Sequence, residues 1–172
     1  MEDLRENQKR AIEISKNNNF ESGVHYHATG TGKSWIAIRI LYEYNQKYPK
    51  NNVLWVCEKK DILRQQFSKE VIKERGFKNI LNNFNVLNFV DYKINNWFES
   101  LNSSKFWGKP YLCIINRTFL TNREKYKLIK NRYHLIIHDE CHSIDNNSTS
   151  NFYNWISKKY KNMKIIGFSA TP

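Results

Sequence analysis

The chain has 172 residues, of which 40% are hydrophobic and 15% aromatic, so it is long and apolar enough for one globular domain and is not a disordered segment. No apolar run approaches the roughly 18 residues of a membrane helix, and the charged start Met1 to Arg10 is unlike a secretion signal. A balance of 28 Lys+Arg against 16 Asp+Glu, formally +12, favours polyanionic partners through counterion release, although the basic residues are spread along the chain without a dense tract and an ordinary soluble surface accounts for them too.

In chain order, Leu4 to about Lys16 has helical spacing, with Leu4, Ala11, Ile12 and Ile14 as its buried candidates. Asn17-Asn18-Asn19 and Gly23 break it. Gly23 to His27 reads as a short strand running directly into a glycine-rich loop. Lys33 to about Tyr48 is the next helix, carrying Trp35, Ile36, Ile38, Ile40 and Leu41. It ends at Tyr48 because the residue before Pro49 is pushed away from helical angles. Val53–Cys57 is a buried strand. Asp61 caps a helix that runs to about Arg75 and is closed by Gly76. Phe84–Val90 reads as a strand and Lys93–Leu101 as a short helix. Tyr111–Ile115 is a strand, Glu124–Asn131 a helix, Tyr133–His138 a strand, Ser148 to about Tyr160 a helix, and Met163–Phe168 the last strand.

Strands that are apolar nearly throughout, alternating with helices, predict an α/β fold with a mostly parallel sheet covered by helices on both faces. There is no internal repeat and no low-complexity linker. The three cysteines, Cys57, Cys113 and Cys141, are odd in number and far apart, and two lie in apolar runs. Reduced, buried thiols in an intracellular protein are the expectation. Because the sequence stops at Thr171-Pro172, just after a buried strand, a further domain is expected beyond it.

The strongest chemical signal is His27-Ala28-Thr29-Gly30-Thr31-Gly32-Lys33-Ser34, between a strand and a helix. Phosphates need several backbone N–H groups converging on one point, which a tight loop with glycine at strained positions supplies. The following helix aims its positive end at the same spot. Lys33 then reaches the β- and γ-phosphates, and Ser34 offers a hydroxyl to Mg2+. The common pattern G-x-x-x-x-G-K-[ST] has glycine where His27 stands. A second carboxylate is needed at the end of another buried strand, and Leu135-Ile136-Ile137-His138-Asp139-Glu140 provides it. Asp139 would hold Mg2+, and Glu140 can polarise the attacking water. A zinc site from His138, Cys141 and His142 is a rival, but it lacks a fourth ligand at sensible spacing.

Asp139-Glu140-Cys141-His142 after a hydrophobic strand, with Ser169-Ala170-Thr171-Pro172 ending the next, resembles the DExH-box helicases of superfamily 2. Ala28 to Ser34 matches their first motif, and Leu4-Arg5 with Gln8 resembles their glutamine motif. The closest flavour is the motor subunit of restriction enzymes. The resemblance implies a RecA-like domain that binds ATP and Mg2+. Thr29, Gly30, Thr31, Gly32, Lys33 and Ser34 would hold the nucleotide, and Gln8 would read adenine through its two-way amide. Lys33, Asp139, Glu140 and His142 would form the catalytic set, with Ser169 and Thr171 coupling it to DNA or RNA. Lys59, Lys60 and Gln65, with Arg117 and Thr118 after a later strand, would contact the sugar-phosphate backbone. Glu58 stands where that family has proline. A second RecA-like domain is implied as the source of catalytic arginines, so the single domain is expected to hydrolyse ATP slowly.

Three functions stay open at this level: a strand-separating helicase, a double-strand translocase of a restriction or remodelling complex, and a nucleotide-switched binding module. A P-loop kinase would leave Ser169-Ala170-Thr171 without a role. Trp97, Phe98, Phe106 and Trp107, in a stretch that matches no motif, fit either base stacking or ordinary packing.

Overall fold

The computed structural model describes residues 4–57, 81–88, 108–126, 129, 132–141 and 147–170. In chain order they form α1 (Glu6–Asn17), β1 (Gly23–Tyr26), α2 (Lys33–Lys47), β2 (Val53–Cys57), a 3-10 turn at Leu81–Asn83, and β3 (Asn85–Asn88). Then come β4 (Tyr111–Asn116), α3 (Arg117–Leu120), α4 (Arg123–Tyr126), β5 (Leu135–Asp139), α5 (Asn147–Lys159) and β6 (Lys164–Ser169). The strands lie in one sheet in the order β1-β6-β5-β2-β4-β3, and every pairing is parallel. All six strands therefore enter at one edge and finish at the other. The segments that follow β1, β2, β4, β5 and β6 gather at that carboxyl edge.

All five residues of β2 and of β5 are buried, as expected for strands covered on both sides. Side chains alternate along a strand, so each strand feeds two cores. Val53, Trp55, Leu135 and Ile137 pack with Ala11 and Ile12 of α1 and Ile36, Ile40 and Leu41 of α2. Leu54, Val56 and Ile136 pack on the other face with Phe119 and Leu120 of α3, Tyr126 of α4, and Phe152 and Ile156 of α5. Each such side chain contributes roughly 1.5–3 kcal/mol on full burial, so the two layers hold the sheet without help from any single polar contact.

Most predicted elements are present, with two differences. Ile14 was expected inside α1 but is 49% exposed, while Gln8 and Ser15 are buried. The buried stripe is Gln8, Ala11, Ile12 and Ser15, spaced i, i+3, i+4, i+7, and Ile14 falls more than a quarter-turn from the centre of that stripe. The helix expected over Glu124–Asn131 is described as α4 over Arg123–Tyr126 and is preceded by a separate turn of helix, α3. Asn116 caps α3, its side chain accepting from the Phe119 N–H at 3.1 Å, so Arg117 and Thr118 open a short helix. The expected helices at 61–75 and 93–101 lie outside the described residues.

Candidate functional site

The loop after β1 is held at both ends. His27 N–H donates to the Ser169 carbonyl at 3.0 Å, extending the β1–β6 ladder by one residue. The Thr31 hydroxyl donates to the Ala28 carbonyl at 2.6 Å and closes the turn. Gly30 and Gly32 have φ of +78° and +84°, left-handed conformations that L side chains rarely adopt. Gly32 is also the N-cap of α2 and has no side chain to cap it, so the leading amides of the helix stay available to an anion. A Cβ on Gly32 would lie 2.5 Å from Gln8 Nε2. The loop can therefore come this close to α1 only through glycine.

Gln8 is 7% exposed, and both ends of its amide are in use. Its Oε1 accepts from the Arg5 N–H at 3.0 Å, and its Nε2 donates to the Thr31 carbonyl at 3.1 Å. As the third residue of α1 reaching back to the N-cap, it satisfies one orphan amide of that helix. The other bond ties the helix to the loop.

The loop meets the end of β5. Ser34 Oγ donates to Asp139 Oδ2 at 3.1 Å, and Lys33 Nζ is 3.4 Å from Glu140 Oε1. Lys33 is 7% exposed and Asp139 2%. At 3.4 Å, an effective dielectric constant of about 20 gives roughly 5 kcal/mol of attraction. Lys33 is buried but the Glu140 side chain is 28% exposed, so desolvation falls mainly on the lysine and offsets part of this attraction. An incoming anion can compete for Lys33. Glu140 has φ +59°, an uncommon value for a non-glycine residue, which costs on the order of 1–2 kcal/mol. That kink turns the chain directly after Asp139 and brings the Glu140 carboxylate to Lys33.

Strand alternation separates His138 from Asp139. Asp139 faces α2, whereas His138 is stacked on Tyr153 of α5, with the Tyr153 hydroxyl 2.6 Å from its Nδ1. Cys141 is buried, and burial pushes its thiol up to about 11, so it carries a proton at neutral pH. Burial first and the Lys33 charge second keep His27 below the usual histidine range. The imidazole that replaces the first loop glycine is therefore neutral at pH 7.

Of the residues singled out in the sequence, Gln8, Thr31, Gly32, Lys33, Ser34, Asp139 and Glu140 meet at one place, and Ser169 borders it through His27. Thr29 and Gly30 form the exposed rim of the same loop. Arg117 and Thr118 begin α3 at the same carboxyl edge. His142, Thr171, Lys59, Lys60 and Gln65 lie outside the described residues.

Two supporting contacts escaped the sequence reading. Gly167, inside β6, leaves room for Cys141: a Cβ there would lie 2.7 Å from Cys141 Sγ. A glycine inside an apolar strand is the signal that marks such an approach. Ser15 Oγ lies 2.8 Å from His25 Nε2 and links α1 to β1. No local pattern announces that bond.

The sequence matches the family described as Type III restriction enzyme, res subunit, over residues 1–172. No curated protein matches it. Among solved structures, the fold is similar to a nuclease-deletion mutant of the Type ISP restriction-modification enzyme LlaGI in complex with a DNA substrate mimic, at 18% identity and TM-score 0.65, over 99% of this chain and 18% of that one. The Type ISP enzyme LlaBIII bound to DNA gives 19% identity and TM-score 0.68, over 99% and 13%. The UvsW helicase from Bacteriophage T4 gives 14% identity and TM-score 0.62, over 98% and 52%. The chain thus spans between 13% and 52% of these longer chains. With the sequence match over its full length and the all-parallel RecA-like sheet, the chain belongs to the Type III restriction enzyme res-subunit family, a motor-domain family of superfamily 2 helicases.

Proposed function

We propose that the site binds ATP with Mg2+ and that the protein couples ATP hydrolysis to unwinding of, or movement along, DNA or RNA. One observation carries this reading: the loop after β1 and the acid pair after β5 are joined by Ser34–Asp139 at 3.1 Å and Lys33–Glu140 at 3.4 Å. In this reading the loop is a Walker A loop and Asp139-Glu140-Cys141-His142 is a DExH box. The backbone from Thr29 to Gly32 cradles the phosphates, and Lys33 binds the β- and γ-phosphates.

Ser34 and Asp139 are the residues that would hold Mg2+. A hydroxyl and a buried carboxylate in contact are the hard oxygen donors such an ion takes. When bound, the ion supplies charge neutralisation on the phosphate oxygens. Glu140, released from Lys33 when phosphates claim the ammonium, accepts a proton from the attacking water. Gln8 has used one amide hydrogen and one lone pair, leaving its second amide hydrogen for the base. His142, Ser169 and Thr171 couple the site to nucleic acid. Lys59, Lys60, Gln65, Arg117 and Thr118 hold its backbone.

A second RecA-like domain supplies the catalytic arginines, which are worth about 10³–10⁵ in rate. The greater length of the similar chains supports this part of the reading. The restriction-enzyme family match and the two Type ISP structures with DNA or a DNA mimic suit a double-strand translocase, and the UvsW helicase suits a strand-separating motor.

The test is nucleic-acid-stimulated ATP turnover of the full protein, parent against Glu140→Gln. Loss of the general base is expected to slow turnover about 10²–10⁴-fold while ATP still binds. Turnover that survives the substitution would overturn the reading, and so would a parent that binds ATP and switches nucleic-acid affinity without hydrolysis. Triplex displacement without unwinding of a tailed duplex identifies the translocase.

A further inference from the structure

The charge that looks scattered along the sequence is gathered by the fold. Because every strand is parallel, the segments that lead into the strands all lie at the amino edge of the sheet, opposite the phosphate loop. Segments 46–52, 108–111, 132–134 and 157–164 lead into β2, β4, β5 and β6, and each contains Lys or Arg and neither Asp nor Glu. These are four neighbouring strands, in the order β6-β5-β2-β4. Lys161, Arg132, Lys50 and Lys109 stand exposed before them in that order. At about 4.7–4.9 Å per strand, the row is roughly 14 Å long. Lys158, also exposed, widens it at the β6 end.

Helix ends account for part of this charge, since cations favour helix C-termini and Lys158 sits in the last turn of α5. They do not account for Lys50, Lys109, Arg132 and Lys161, which lie in the connections. Lys50, Arg132, Lys158 and Lys161 have no ion-pair partner among the described residues. Among the described residues, Glu21 and Glu43 are already engaged, Glu21 with Lys164 at 2.8 Å, and Glu43 with Lys16 at 3.0 Å and Arg39 at 2.8 Å.

The segments that carry the row are also tied to one another. Asn52 joins three of the segments: its N–H donates to His134 Nδ1 at 3.1 Å, its Nδ2 to the Arg132 carbonyl at 2.7 Å, and its Oδ1 accepts from the Tyr111 N–H at 2.7 Å. Lys164 N–H donates to the His134 carbonyl at 3.0 Å, and Lys109 Nζ to the Asn82 carbonyl at 2.8 Å.

We propose that this amino-edge row is a second nucleic-acid contact, which holds the phosphate backbone of duplex DNA on the side of the domain opposite the ATP site. Its chemistry selects the occupant. The exposed large apolar side chains of the described residues, Ile14, Val24, Tyr26 and Val86, are not in the row, so it lacks the apolar anchors of a protein interface. Tyr44, Tyr133 and Tyr160 at this edge are buried, and the half-buried Tyr48 and Tyr111 are packed against the cores, so no ring stands free as a platform for unpaired bases. Cations with exposed amides fit a duplex, which presents about one charge per 1.7 Å and is held without base readout.

The inference rests on the nucleic-acid reading above, and the experiment separates the two. Binding of a duplex to the full protein is measured against salt concentration for the parent and for Lys50→Gln/Arg132→Gln/Lys158→Gln/Lys161→Gln. Affinity at low salt is expected to fall at least tenfold. The slope of log affinity on log salt should become shallower by about 3–4, with ATP affinity unchanged. The double variants Lys50→Gln/Arg132→Gln and Lys158→Gln/Lys161→Gln should each lose about half of that slope. Replacing the three lysines with arginine should preserve binding.

A parent that binds no nucleic acid sinks the motor reading itself. A parent that binds duplex with the same slope as the variant overturns only the row. Equal loss on a single strand overturns the duplex assignment. Loss of polyglutamate binding with duplex binding intact would reassign the row to an acidic protein.

Discussion

Replacing Gln8 with alanine removes two hydrogen bonds at once, one from the Arg5 N–H at 3.0 Å and one to the Thr31 carbonyl at 3.1 Å. Each is part-buried and worth about 1 kcal/mol net, so the loop and the start of α1 together lose about 2 kcal/mol of order. If all of this is recovered when nucleotide binds and re-forms the loop, affinity falls about 30-fold, at 1.4 kcal/mol per tenfold. That value is an upper bound, because water satisfies part of what the amide leaves behind. Gln8→Glu should be at least as harmful: it keeps an acceptor for Arg5 but sets a carboxylate oxygen against the Thr31 carbonyl. The assay is equilibrium binding of fluorescent ATP and GTP analogues to parent, Gln8→Ala and Gln8→Glu. Loss of loop support weakens both nucleotides alike, whereas loss of an adenine contact weakens ATP and spares GTP. Unchanged affinity for both would refute the argument that the Thr31 bond organises the loop.

Gly167→Ala would place a Cβ 2.7 Å from Cys141 Sγ and 3.3 Å from Cys141 Cβ, so it should cost about 1–3 kcal/mol of stability, read as a lower urea midpoint. Adding Cys141→Ala removes the sulfur and should restore part of that loss; an unmoved midpoint in the single variant would contradict the packing. His25 has its pKa lowered from 6.5 to about 4, by burial first and His27 second. Between those values the unfolded chain binds a proton that the folded chain refuses. Stability should therefore fall as pH drops through this window and level off below it. The His27 shift has the same sign. His25→Phe keeps a ring against Phe168, at 5.3 Å between centroids in the parent, and should flatten the acid limb of urea midpoint against pH. An acid limb as steep as the parent's would rule His25 out as its source.

The glycine loop after β1 was legible in the sequence because its demands are local. Left-handed backbone at residues 30 and 32 requires glycine, and a lysine and a serine must open the next helix. The sheet was legible for a similar reason: strands buried on both faces are apolar throughout, and Val53–Cys57 and Leu135–Asp139 are. Ile14 was misjudged because an apolar residue was taken for a buried one, when the stripe is set by what α1 lies against. Gln8, expected from the sequence to read adenine, lies against the loop. Its bond to Thr31 spans 23 positions and depends on how α1 packs over the loop, which no spacing encodes.

The sequence by itself therefore determined the fold class, the loop and the acid pair, since each rests on the conformational needs of a few adjacent residues. Only the tertiary structure decided which side of the sheet each strand residue serves. Asp139 meets Ser34 and its neighbour His138 meets Tyr153 because strand side chains alternate about a register set by distant partners. The same is true of the charge. Lys50, Lys109, Arg132 and Lys161 are far apart along the chain, and they form a row only because parallel pairing brings the starts of four strands to one edge.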